Sequence, residues 1–345
     1  MKASYQRHLL KFKRPSGTSR GVLNDRETWL LFLNDGEKTG VGECGLFRGL
    51  SSDDCPDFEN RLQSFCEQIN DQQTIPAEVL KSWPSIRMGY EMALLSLQSE
   101  EPYSLFPSDF TRGFSSIPIN GLVWMGDISF MREQIEQKIA QGFDCIKLKI
   151  GALEFAQELS LLTEVRKSFD ADQLILRVDA NGAFTPAQAR ERLQALADLD
   201  IHSIEQPIAA GQTTAMGFLC RDTPLPIALD EELIGIAETQ DMAALLDAIA
   251  PQYIILKPSL LGGFKASEQW IELANQRQIG WWVTSALESN IGLNAIAQWT
   301  YSLQSKGHQG LGTGSLFLNN FTAPLEVRNG YLTFDPEQKW DLLYL

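Results

Sequence analysis

The sequence predicts an α/β protein: a parallel barrel of alternating strands and helices, preceded by a smaller segment of mixed α and β character. Three observations predict it. From about residue 116 onward, short apolar runs of strand character alternate with stretches of helical periodicity. There are eight such runs, recurring a little under thirty residues apart. Five charged residues stand at the C-terminal ends of consecutive runs, where this fold gathers its chemistry.

Taken in order, residues 4–13 read as extended. Residues 28–33 and 39–43 flank Asn34-Asp35-Gly36, the signature of an antiparallel hairpin. Helical patterns follow at about 57–70 and 84–98. Residues 15–26 hold Gly17 and Gly21 among polar side chains and read as a solvated loop, with a closing lid as the alternative. The barrel strands fall at 117–123, 145–150, 174–179, 202–205, 226–230, 253–257, 281–285 and 309–312. Helical stretches lie between them, among them 128–141, 155–169, 186–199 and 264–277. In the tail, Asn329-Gly330 sits between apolar residues, a second hairpin signal, expected to pack back on the N-terminal segment.

Composition narrows the function. The chain has 345 residues, with 29 Lys+Arg against 44 Asp+Glu, a net charge of −15. A protein that acidic has no general attraction for nucleic acid or an anionic membrane. The 44% hydrophobic and 21% charged residues exclude disordered and fibrous classes. Cys44, Cys55, Cys66, Cys145 and Cys220 form no CxxC motif and read as reduced thiols. No stretch approaches the ~20 apolar residues of a membrane span. The expectation is a soluble, cytoplasmic protein, as a monomer or a homodimer alike.

The charged series is Lys149, Asp179, Glu205, Asp230 and Lys257, spaced by 30, 26, 25 and 27 residues. Period-two alternation turns Ile146, Leu148 and Ile150 toward the outer helices and Lys147 and Lys149 inward; Arg177 and Asp179 follow the same rule. Asp179, Glu205 and Asp230 belong to adjacent strands. Strands two and six oppose each other across a ring of eight, so Lys149 and Lys257 flank a central ligand. A buried ion-pair network is the non-catalytic reading, but five charges at one level of a barrel are costly without a function. Three inward carboxylates call for a hard cation, and an all-oxygen set suits Mg²⁺, with Mn²⁺ as a substitute. Lys147 and such a cation would lower the pKa of Lys149, the carboxylates opposing them, and a neutral lysine can take a proton next to a substrate carboxylate.

The motifs around these residues are KLK (147–149), RVDANGAF (177–184), IEQPI (204–208), LDEEL (229–233), LKPSLLGG (256–263) and VGECG (41–45). On them the chain resembles the enolase superfamily, in its muconate-lactonising-enzyme-like subgroup, over nearly its full length. The resemblance implies a modified TIM barrel, (β/α)7β, at 116–317. It implies an N-terminal α+β capping domain at 1–115, with the tail 318–345 packed on it. Lys149 would then be the acid/base, Lys147 its electrostatic partner and Lys257 the opposing lysine. Asp179, Glu205 and Asp230 would hold Mg²⁺, with Arg177 and Asn181 in support and Glu231 behind the ligands.

Of His8, His202 and His308, none lies on 281–285, where histidine-dependent branches place a base; His202 is expected to face outward in a structural role. Residues 310–317 lack the acidic pair with which dipeptide epimerases hold an ammonium group. Instead 12–21, 285–289 and 310–317 resemble a dehydratase of the subgroup, which makes Ser19, Arg20, Ser285, Gly312 and Thr313 candidate substrate contacts. The implied reaction is Mg-dependent syn dehydration of 2-succinyl-6-hydroxy-2,4-cyclohexadiene-1-carboxylate in menaquinone biosynthesis. N-acylamino acid racemisation or dipeptide epimerisation is the alternative, and a non-enzymatic scaffold the third reading.

Overall fold

The computed structural model describes residues 1–18, 21–71, 75 and 77–341. Strands β1 (Lys2–Thr18), β2 (Gly21–Asn34) and β3 (Thr39–Cys44) form an antiparallel sheet. Its run of buried Trp29, Leu30, Leu31 and Leu33 is continuous because both faces are covered. Trp29, Leu31 and Leu33 pack with Phe58, Leu62 and Phe65 of α1 (Phe58–Asn70), whereas Leu30 joins the large core shared with the barrel. Helices α2 (Ala77–Lys81) and α3 (Pro84–Gln98) complete this part, with α3 lying on β3. The approach is so close that a Cβ at Gly42 would stand 1.9 Å from the Gly89 carbonyl oxygen.

The solvated loop expected at 15–26 is instead the far end of the β1–β2 ribbon. Ser16 pairs with Leu23, Gly17 with Val22 and Thr18 with Gly21, after an irregularity between Lys11 and Ser16. Polar residues on an exposed ribbon leave no apolar alternation to read, and Gly21 enters the strand at φ +123°. Ser19 and Arg20 lie outside the described residues.

The expected first barrel strand divides in two. Pro118 ends β4 (Ser116–Pro118), and the barrel proper begins with β5 (Gly121–Val123). Helix and strand then alternate: α4 (Ile128–Ala140), β6 (Cys145–Lys149), α5 (Phe155–Ser168), β7 (Ile175–Asp179), α6 (Pro186–Ala197), β8 (Ser203–Glu205), α7 (Thr213–Arg221), β9 (Ile227–Leu229), α8 (Thr239–Ile249), β10 (Tyr253–Leu256), α9 (Pro258–Leu261), α10 (Gly263–Gln276), β11 (Gly280–Val283) and α11 (Asn290–Ser302). The parallel sheet runs β5 to β11 in chain order. The eighth strand, expected over 309–312, is reduced to single bridges. Gln309 pairs with Ile119 and Gly310 with Thr284, so two residues close the ring between β11 and β5.

Strands β12 (Leu325–Arg328) and β13 (Tyr331–Phe334) form the tail hairpin, turning at Asn329 and Gly330, both at positive φ. Its partner is β4, through Tyr331–Pro118, Leu332–Ile117 and Thr333–Ser116. Just ahead of it, Asn319 bonds to β1, accepting from Lys11 N and donating to the Leu9 carbonyl. No helix among the described residues is long and apolar enough to cross a membrane.

Candidate active site

The register of the sheet assembles the charges. Lys147 pairs with Arg177 and Lys149 with Asp179, and Asp179 pairs in turn with Glu205. Glu205 is level with Ala228 and Ala228 with Tyr253, so Asp230 and Lys257 lie further along their strands. Strand stagger in a closed barrel brings such residues to a common rim. The side chains do meet there. Lys147 Nζ donates to Glu205 Oε2 at 2.7 Å and Asp179 Oδ2 at 3.3 Å, and Lys149 Nζ to Asp179 Oδ2 at 2.9 Å. Lys257 pairs with Asp230, its Nζ 3.8 Å from Glu205 Oε1.

All three acids are buried. Burial alone would raise the Asp179 carboxyl, but Lys149, Lys147 and Lys257 hold it well below the usual carboxylate range. At Lys257 burial lowers the pKa, yet Asp230, Glu205 and Glu231 more than reverse this, so the ammonium is held above its ordinary value. Lys147 is raised in the same way by Glu205 and Asp179. The lysines nearest the acid wall are thus stabilised as cations.

Asn181, at φ +43°, links this set to Glu231. Its Oδ1 accepts from Lys149 Nζ at 2.7 Å, and its Nδ2 donates to Glu231 Oε1 at 3.0 Å. Arg177 lies one inward step below Lys149's level. Its Nη1 donates to the His308 carbonyl at 2.9 Å, and its guanidinium sits 4.1 Å from the Trp282 ring centre. His202, expected outward, instead has its ring against Tyr253 and Trp282, the latter in the small cluster with Ala228 and Ile255. It precedes β8, and strand alternation does not extend to a residue outside the strand.

Above the lysines opens a cavity of about 370 Å³ lined by Lys147, Lys149, Asp179, Asn181 and Lys257. Ser285, Gly312 and Thr313 line it as well, with the two hydroxyls bonded to each other at 2.6 Å. Sequence reasoning missed its apolar wall of Phe47, Leu50, Trp124, Leu287 and Leu316, and the cations Lys13 and Arg14 at its edge. The wall comes from loops and strand ends, and Lys13 and Arg14 from the irregular stretch of β1 between Lys11 and Ser16, none with a periodic signal; only their place inside the quoted segments 12–21, 285–289 and 310–317 pointed to Lys13, Arg14, Leu287 and Leu316.

As the side chains stand, no three acidic, histidine or cysteine groups among the described residues converge on one point, because lysine ammonium groups lie between the carboxylates. The donor set nonetheless fits a hard divalent cation. It is all oxygen, from three adjacent strands, and Glu205 Oε1 is buried without a hydrogen-bond partner among the described residues. Burial, with Glu231 and Glu205 close by, also pushes the Asp230 carboxyl well above its ordinary range despite Lys257, a cost that further positive charge would relieve.

Residues 130–338 match the Enolase C-terminal domain-like family. The chain is 49% identical to an o-succinylbenzoate synthase of Desulfotalea psychrophila over 96% of its length and 98% of that protein's. It is also similar to the crystal structure of MenC from Desulfotalea psychrophila, with a TM-score of 0.87 and 44% identity, covering 96% of this chain and 99% of that one. The L-Ala-D/L-Glu epimerase of Bacillus subtilis shares the fold alone, at a TM-score of 0.81 and 18% identity over 97% of this chain and 96% of that one.

Proposed function

The chain belongs to the enolase superfamily and, within it, to the o-succinylbenzoate synthase family, and from that premise we propose how its residues divide the work. It is a hydro-lyase that dehydrates 2-succinyl-6-hydroxy-2,4-cyclohexadiene-1-carboxylate to 2-succinylbenzoate. The barrel within 116–317 carries the chemistry and residues 1–115 form the cap; the tail 318–345 joins the cap through Asn319, while its hairpin pairs with β4. The substrate is a small dicarboxylate, and the cytoplasm is the setting, in keeping with five unpaired cysteines.

The observation that carries the reading is the convergence of Lys149, Lys147 and Lys257 on Asp179, Glu205 and Asp230 at the floor of one cavity. Asp179, Glu205 and Asp230 are the residues that would hold Mg²⁺, or Mn²⁺ in its place. When bound, the ion supplies positive charge for the ring carboxylate and for the negative charge that gathers there as the α-proton leaves. Neutral Lys149 takes that proton at Nζ. It then returns it to the departing hydroxyl on the same face, so that water leaves by syn elimination and the ring becomes aromatic. Asn181 orients Lys149 by accepting from it. Lys257 and Lys147 stay charged beside the acids, and Lys257 is placed to face the ring as a cation. Arg177, level with Lys147, supports the floor below Lys149. Ser285, Thr313 and Gly312, with the apolar wall, receive the succinyl arm.

The absence of an acid at 310–317 gives an epimerase no anchor for a substrate ammonium group. The test is an ultraviolet assay of the cyclohexadiene substrate beside a panel of N-acylamino acids and dipeptides. Rapid aromatisation with slow or no racemisation is expected. Faster α-proton exchange in both enantiomers of N-succinylamino acids would overturn the assignment.

A further inference from the structure

The cap reaches the barrel through two carboxylates that the catalytic reading leaves unused. Each meets the N-terminus of a barrel helix. Glu91 of α3 accepts from Phe264 N at 2.8 Å and Lys265 N at 3.3 Å, at the start of α10. Room for it is made by the glycine pair of LKPSLLGG: a Cβ on Gly263 would lie 2.3 Å from Glu91 Oε2. Glu43 of β3, fully buried, accepts from Ser289 N at 2.9 Å and Gly292 N at 2.8 Å, at the start of α11. It also accepts from the hydroxyls of Ser289 at 2.5 Å and Thr28 at 2.8 Å. Unpaired N–H groups and the positive end of the helix dipole make such a terminus a natural seat for an anion.

The two seats differ in what lies next to them. Ser289 directly follows the turn whose Ser285, Ala286 and Leu287 line the cavity, and Leu287 holds φ +65°, which costs a non-glycine residue free energy unless its surroundings fix it. Glu288 braces the same turn, accepting from Ala286 N at 2.8 Å and from the Ser259 hydroxyl at 2.6 Å, two residues past Lys257. At α10 the lining residue that precedes the seat is Lys257, with the whole of α9 between them.

We propose that Glu43 is a positioning residue for substrate binding: by capping α11 from the cap sheet, it fixes the 285–289 turn against the cavity, whereas Glu91 makes the equivalent bond for docking alone. The kinetic part rests on the dehydratase reading above. Glu43 touches no reacting atom, so its loss acts on the fit of the substrate and not on proton transfer.

Glu43→Gln and Glu91→Gln form a matched pair, each exchanging one acceptor oxygen at a helix start for a donor. Amide hydrogen exchange over 284–293 is expected to quicken at least ~10-fold in Glu43→Gln and to stay unchanged in Glu91→Gln. With the cyclohexadiene substrate, KM should rise about fivefold in Glu43→Gln with kcat within about twofold, and neither should move in Glu91→Gln. Equal rises in KM for both variants, or an unchanged KM in Glu43→Gln despite faster exchange, would overturn the proposal. If Glu43→Gln does not fold, Ser289→Ala removes one hydroxyl from the seat, and the same split is expected at smaller size; no split overturns the proposal. A wild-type protein that leaves the cyclohexadiene unchanged would remove the dehydratase reading, while the exchange comparison would still decide whether Glu43 holds the turn.

Discussion

Lys149 and Lys257 carry the same charge in different company. Lys149 shares its ammonium between Asp179 and the neutral amide of Asn181, while Lys257 faces Asp230 and Glu205 together. Syn elimination uses one face of the ring, so the lysine with fewer anions around it handles the proton and the other holds charge. Arginine keeps the charge but is no base near neutral pH. Lys149→Arg should therefore lower kcat at least ~10³-fold, about 4 kcal/mol of barrier, while Lys257→Arg keeps measurable dehydratase activity. Steady-state assays of both variants, with Mg²⁺ affinity measured in parallel, check this; comparable losses in the two would favour a two-base racemase site. At this scale the sequence was most legible, because an inward charge at the end of each of five barrel strands is visible in the spacing alone. Glu43 was not legible: a carboxylate that caps a helix from 246 residues away leaves no local pattern.

Among the elements, legibility followed burial. Strands β6, β7 and β10 fall within a residue or two of where their apolar alternation puts them. The β1–β2 ribbon over 15–26 is largely exposed among its described residues and reads as a loop; the eighth strand reads as continuous because Gln309–Gly312 has strand-like composition, yet only two of its residues pair. The contact of β3 with α3 yields a sharp expectation. Gly42→Ala would drive a methyl into the Gly89 backbone, which cannot move without shifting α3. The cost should be about 2–4 kcal/mol, read as a lower denaturation midpoint with an unchanged slope in urea. A midpoint equal to wild type would mean that α3 yields easily. At the start of β8, burial, with help from Arg177 and His308, pushes His202 down to about 4. The folded protein then binds that proton less readily than the unfolded chain does. This contribution is complete above pH ~6.5 and is lost as pH falls toward 4, at under about 1.4 kcal/mol per pH unit. His202→Phe keeps the ring contact with Tyr253 and should flatten that part of a stability profile taken from pH 4 to 7; an unaltered profile would place the titration elsewhere.

For the molecule as a whole, the acid wall couples folding to a cation. Three buried carboxylates, with Glu205 Oε1 lacking a hydrogen bond among the described residues, should bind Mg²⁺ more tightly folded than unfolded, so added Mg²⁺ should raise the melting temperature, and dialysis against EDTA should abolish turnover. Asp179→Asn or Glu205→Gln should remove both effects, and full activity in excess EDTA would sink the assignment. The closure of the ring has a consequence in time. During synthesis β5 to β11 emerge from the ribosome before Gln309 and Gly310, the two residues that bridge β11 to the first strand. Until they arrive, the sheet is an open ribbon with two free edges, and the face that carries its paired lysines and carboxylates lies open to water. The reaction chamber therefore comes into being as one late event, and a chain stalled before residue 309 holds nearly every catalytic group and no chamber.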